Sequence, residues 1–263
     1  MNRNRPPRTG RPKIMFRFRR VSATIAGLFV FVATAIGLIA DPHAIQASPA
    51  AGVNVYMYRH KFCTFRHGGA ILHMCTVASS GCKIDGNVTE VRARSHLAHE
   101  GDTFAPPIVA SGGMRVSQGL AATVFAGERL GFNVGVTNAA KAFQYMLDLQ
   151  DFVHELEAVG YKPEAMEAKY PRPGRQAAWL AHFERSISGP FYFGQAPSYV
   201  DFFLLAQLKW VEDMQHAEYP SRTLLAKFPK VAAILHSELG REATRTYLIQ
   251  PMDYGPEDYQ TSP

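Results

Sequence analysis

The stretch YFGQAPSYVDFFLLAQL, residues 192–208, carries the clearest folding signal in the chain. Ser198 and Asp201 stand three apart immediately before an apolar run, the spacing of a capping box. In such a box the serine side chain accepts from the N–H of Asp201, and the carboxylate accepts from the N–H of Ser198. Pro197 and Phe202 take the flanking staple positions. A cap of this kind contributes about 1 kcal/mol and gives both polar side chains a structural role. The pattern predicts a helix over 199–216.

Working outward, helical spacing dominates the second half of the chain. Between 138 and 159 the apolar residues Ala142, Tyr145, Met146, Leu149, Phe152, Val153 and Leu156 recur with helical period. Further helices are predicted over 176–188, 230–240 and 242–248, and no strand signal follows residue 135. The first half reads differently. VNVYMY (53–58) alternates as a strand does, 67–80 reads as a helix closing on Gly81, and 87–92 is a second short strand. TFAPPIVA (103–110) is a third strand, bent or at an edge because its two prolines cannot donate to a ladder. Gly112 and Gly113 turn the chain into a strand at 114–116, which leads into a helix over 117–130. Strand, helix, three strands and a helix within about 80 residues have the size of a thioredoxin-like unit, and helices alone follow it. The predicted fold is thus an α/β thioredoxin-like N-terminal domain (51–132) joined to an all-α C-terminal domain (133–250). A Pro/Gly-rich tail occupies 251–263.

Charge is segregated. Eight of the 28 basic residues and none of the 22 acidic ones lie in 1–40, so residues 41–263 carry 20 basic against 22 acidic groups, a net of −2. The folded part therefore offers no basic footprint for nucleic acid. Behind the arginines, VSATIAGLFVFVATAIGLIA (21–40) is twenty residues without a charge, about 30 Å as a helix and enough to span a bilayer. Small residues follow in IQASPAAG (45–52). Residues 1–50 are read as a leader, either a membrane anchor or a secretory signal, with organelle import as the alternative. Membrane contact is expected through this segment alone. The three cysteines, Cys63, Cys75 and Cys82, fit neither a CxxC nor a zinc spacing, and so sparse an odd count predicts buried apolar cysteines and one thiol of interest rather than a disulfide framework. No metal site is expected.

Three separated motifs then carry a resemblance. Residues 192–208 resemble the helix-start signature of the glutathione transferase helical domain. KFPKVAAILHSELGREATRTYL (227–248) resembles that family's closing helices. PPIV…GGMRVSQGLAATVFAGERLGF (106–132) resembles its third strand, turn and third helix. The resemblance covers roughly 53–248, and the spacing from Ala70 through Pro107 to Gln118 is similar to the sigma-like class. It implies a glutathione transferase: glutathione as co-substrate, its thiolate attacking a small apolar electrophile, in a homodimer. A non-catalytic binding or structural homologue is the alternative, as is an omega-like thiol oxidoreductase using Cys63. The helical wall near Tyr145, Met146 and Trp179 is the expected source of apolar contacts.

The same resemblance distributes the site. Pro107 falls where the family keeps a cis-proline. The residue before it, which elsewhere pairs through N–H and C=O with the cysteinyl part of glutathione, is Pro106, without an N–H. Ser117, Gln118 and Gly119 open a helix, where free N–H groups favour an anion; in the family the matching Gln and Ser hold the γ-glutamyl end. Gln118 is kept, Gly119 loses the hydroxyl, and Ser117 is read as the helix cap. Arg66 and Arg94 are candidates to pair with a carboxylate of glutathione. The catalytic position stays open between Tyr58, at the end of the better strand, and Cys63, which gap-free spacing puts there and which Arg59, His60, Lys61, Arg66 and His67 surround with positive charge.

Overall fold

The computed structural model describes residues 52–58, 66–78, 82–88, 103, 106–168, 173–215 and 218–249. The leader, Cys63, Arg94 and the tail lie outside them. The first half builds β1 (Val53–Tyr58), α1 (Gly68–Val77), β2 (Cys82–Val88), β3 (Ile108–Ser111), β4 (Met114–Val116) and α2 (Gly119–Leu130). The four strands form one sheet in the order β2-β1-β3-β4. β1 runs parallel to β2 and antiparallel to β3, and β3 is antiparallel to β4. Val53, Val55 and Met57 alternate inward from β1 and are buried, which is what places this strand at the centre of the sheet.

Two expectations need correction here. β2 begins at Cys82, five residues before the expected start at 87, and its described part runs to Val88; residues 89–92 of that expectation lie outside the described residues. Its register slips between Tyr56↔Asp85 and Tyr58↔Val88, so one extra residue is taken up near Gly86 and Asn87. That pair reads as a turn in sequence, yet an irregularity in the ladder absorbs it and lets the strand continue. Cys75 and Cys82 are joined by a disulfide, with Cα atoms 5.6 Å apart, instead of being separate apolar thiols. The tight crossover from α1 back to the start of β2 brings them together, a proximity that residue spacing alone does not reveal.

After residue 135 the chain is helical. A 3-10 turn (Val136–Asn138) leads into α3 (Ala139–Ala158), followed by α4 (Pro163–Ala168), α5 (Arg175–Ser186), α6 (Tyr199–Gln215), α7 (Arg222–Leu225), α8 (Pro229–His236) and α9 (Glu238–Ile249). The α/β and helical layers share one hydrophobic core. α6 is its axis, buried continuously from Tyr199 to Leu208 and packed against α1, α3 and α9. The break between the last two helices falls at Ser237 rather than at Arg241, because the Ser237 hydroxyl accepts from the Gly240 N–H and starts α9.

The capping box at α6 differs from its expected form in one half. Asp201 accepts from the Ser198 N–H at 2.8 Å, but the Ser198 hydroxyl donates to the same carboxylate rather than accepting from the Asp201 N–H. Asp201 also accepts from the Tyr192 N–H at 2.9 Å, closing the loop 192–198 onto the helix. Burial lifts the Asp201 carboxyl to about 6, against the hydrogen bonds from Tyr192, Ser198 and its own backbone that favour its charge. Among the described residues no helix is long and apolar enough to cross a membrane.

Candidate functional site

The first turn of α1 gathers the candidate residues. A Cβ on Gly68 would stand 2.9 Å from Met57 Cε and 3.7 Å from Pro107 Cβ, so the end of β1, the start of α1 and the Pro106–Pro107 turn meet there. The Pro106–Pro107 peptide is cis, as the resemblance implies, and both prolines are buried. Tyr58 is the last residue of β1, beside Met57 in the chain.

One residue earlier, His67 packs on the start of α2. A Cβ on Gly119 would lie 2.8 Å from the His67 carbonyl oxygen and 3.2 Å from its Cβ. Only glycine fits this close approach, which gives a steric reason for glycine where the resemblance implies a serine. Ala122 N–H donates to the Gln118 carbonyl, making Gln118, not Ser117, the residue that precedes α2. The correction matters chemically. Gln118 sits at φ 72° and ψ 122°, a region L residues rarely occupy, and its exposed side chain does not cap the helix. No side chain of Gln118 caps the N–H groups of the first turn, so the helix start retains its capacity for an anion.

A cleft of about 280 Å³ opens at this junction. The α/β layer lines it with Arg66, His67, Gln118, Gly119 and Leu120. The helical layer supplies Gln150, Val153 and His154 from α3, and Phe203 and Gln207 from α6. Arg66 is nine-tenths buried, and its guanidinium donates in fork geometry to both oxygens of Glu157, at 2.7 and 2.5 Å. Gln207 donates to the Arg66 carbonyl at 3.1 Å. Two long-range contacts thus pin the start of α1 to α3 and α6, and they commit much of Arg66 to that task. Burial, with the Arg66 charge beside it and a smaller push from His154, lowers the His67 pKa to about 4 despite the opposing Glu157, so its imidazole is neutral at pH 7.

The expected apolar wall faces elsewhere. Met146 is fully buried in the core. Tyr145 packs on Tyr192 and Phe193. Trp179 donates to Glu155 at 2.9 Å and lies under Arg175 and beside Phe183. Sequence reasoning missed His67, Gln150, His154, Phe203 and Gln207. Gln150 and His154 do stand one helical turn apart beside the core stripe of α3, but such a pair also describes a solvated face.

No protein-family model and no curated protein matches the sequence. Solved structures do. A Nu-class GST from Haemonchus contortus aligns with a TM-score of 0.55 at 15% identity, over 76% of this chain and 97% of that one. The Onchocerca volvulus Pi-class glutathione S-transferase gives a TM-score of 0.55 at 13% identity, over 75% and 92%. The glutathione S-transferase from Ascaris lumbricoides gives 0.51 at 14%, over 76% and 98%.

Proposed function

We propose that this chain, whose fold is that of the glutathione transferases, binds glutathione around the first turn of α1 and activates its thiol for attack on an electrophile. The observation that carries the reading is the cleft at the junction of the two layers, lined by the strained Gln118 and by Gly119 at the start of α2 and by His67, the chain neighbour of Gly68, where Met57 and the cis Pro107 meet. Clefts between such layers are the usual place for small ligands. In this reading Pro107 and Gln118 hold the tripeptide with the N–H groups of Gly119 and its successors, and Ser117, Arg66 and Arg94 assist. A donor at Tyr58 or a thiol at Cys63 is the activating group: hydrogen bonding to the bound sulfur favours thiolate over thiol. The disulfide engages the other two cysteines, so Cys63 is the one thiol left for chemistry. A sigma-like assignment rests on residue spacing, whereas two of the solved structures named above are Nu- and Pi-class.

The disulfide also supports the secretory or anchored reading of 21–40, because such bonds persist in oxidising compartments. A homodimer is part of the proposal, through the exposed Phe143 and Leu147 one turn apart on α3. Pro106 favours the second reading, a binding protein without turnover, since it removes a backbone donor from the site. Retention on immobilised glutathione followed by a thiol-conjugation assay separates the two. With turnover, Tyr58→Phe is expected to slow conjugation while Cys63→Ala leaves it nearly unchanged. The inverse pattern, with reduction of mixed disulfides exceeding conjugation, assigns the chemistry to Cys63. No retention and no turnover rejects the glutathione reading.

A further inference from the structure

The side chains that reach the cleft are mostly hydrogen-bonding groups: half-exposed His67 and Gln150, and exposed Gln118 and His154. The apolar residues among them offer little surface. Val153 is 1% and Phe203 4% exposed, and both belong to the core. Leu120, half-exposed at the start of α2, provides the main apolar contact. Among the described residues that line the cleft there is no carboxylate, and the nearby acid Glu157 is bound to Arg66. The aromatic residues that could have formed an apolar wall, Tyr145 and Trp179, are engaged with other partners.

A wholly apolar ligand in this cleft would strip water from the glutamines and histidines and return no hydrogen bond. A carboxylate accepts from a glutamine NH2 and from an imidazole N–H, and its charge strengthens both bonds. We propose that the cleft takes a small ligand bearing a carboxylate on an apolar body, with Gln150 and His154 of α3 as the side chains that select it. The role of this ligand as co-substrate rests on the glutathione reading above; its binding does not. The preference would then reverse the apolar electrophile implied by the sequence resemblance, because the wall that meets the ligand is polar.

Calorimetric titration of the full chain with 3,5-dinitrobenzoate and with methyl 3,5-dinitrobenzoate, each with and without saturating glutathione, tests the assignment. The two probes share ring and nitro groups and differ in the carboxylate. The acid is expected to bind about tenfold more tightly than the ester, the size of one charge-assisted hydrogen bond. Gln150→Leu and His154→Leu are each expected to remove most of that preference. His154→Gln, which still donates, should keep the greater part of it, and this separates selection from a general loss of structure. Failure of the acid to bind, equal affinity for acid and ester, or a preference that survives both leucine variants overturns the proposal. Displacement of the acid by glutathione also overturns it, since the polar wall would then hold glutathione itself. Binding of the acid without any binding of glutathione sinks the glutathione reading and leaves the cleft assignment standing.

Discussion

Gln118 is held at φ 72° without being glycine, at a cost of about 1–3 kcal/mol that its surroundings must offset. β4 ends two residues before it, and α2 begins one residue after it against the His67 backbone; the chain has no slack in which to relax. The strain leaves the glutamine side chain at the mouth of the cleft instead of on the helix. Gln118→Ala is therefore expected to weaken glutathione binding about ten- to hundredfold, the worth of hydrogen bonds to a charged group. Thermal unfolding should stay nearly unchanged, because an exposed side chain with no cap bond leaves the packing intact. Calorimetry that finds unchanged affinity would move the site away from this helix. The cis bond at Pro107 and the helix start at Gln118 were legible in the sequence because both sit in one local motif. His67 and His154 were not. They become neighbours only when α3 folds back across the start of α1, and no local pattern announces a contact between residues so far apart in the chain.

At the scale of elements, α1 is a helix held by its neighbours. It packs against α2, α6 and α9 and carries His73, which is fully buried, edge-on to Phe202 at 4.9 Å. Neither ring nitrogen finds a hydrogen-bond partner of ordinary geometry. Burial lowers the His73 pKa to about 4, opposed by the nearby Leu239 backbone of α9. The folded state thus binds fewer protons than the unfolded chain between the ordinary value of 6.5 and about 4. Stability is intact above that window and falls as the pH drops through it, by about 2 kcal/mol between pH 7 and pH 5 for this group. His67, lowered in the same direction, adds to the slope. His73→Leu is expected to leave stability at pH 7 intact or raised and to flatten much of the loss at pH 5, read from urea midpoints at the two pH values. An unchanged slope would show that His73 finds a proton acceptor in the folded state. Helices were the readable elements, since their apolar period survives tertiary context; α3 and α6 begin and end within a residue or so of the sequence reading. Strand β2 was not readable, because Gly86 and Asn87 look like a turn until the pairing with β1 supplies the ladder that carries them.

For the whole molecule, the order of an α/β layer before a helical layer follows from the change of apolar period near residue 135, and it was plain in the sequence. The joining of the layers was not. Beyond the shared core, it is pinned by Arg66 with Glu157 and by Gln207 with the Arg66 carbonyl, pairs chosen by geometry among many charged and amide residues. The outer face of α3 carries the clearest whole-molecule consequence. Phe143 is 49% and Leu147 39% exposed, an apolar step on a helix whose other face lies in the core. Phe143→Glu is expected to shift the sedimentation profile of the protein from dimer to monomer, because two charges would face each other across a two-fold contact. A monomeric wild-type protein would remove the dimer from the proposal.

The close approach of His67 to Gly119 also constrains how this site can change over generations or in the hands of an engineer. Placing a serine at 119 is a single-codon step that looks like an improvement of the proposed glutathione site. The new Cβ would push on the His67 carbonyl, and Arg66, tethered to α3 and α6, cannot yield without dragging both helices. The change is therefore inaccessible one step at a time. It opens only after the tether is loosened, by a prior substitution at Glu157 or Gln207, so the route to a hydroxyl at this site passes through a variant whose two layers are less firmly joined.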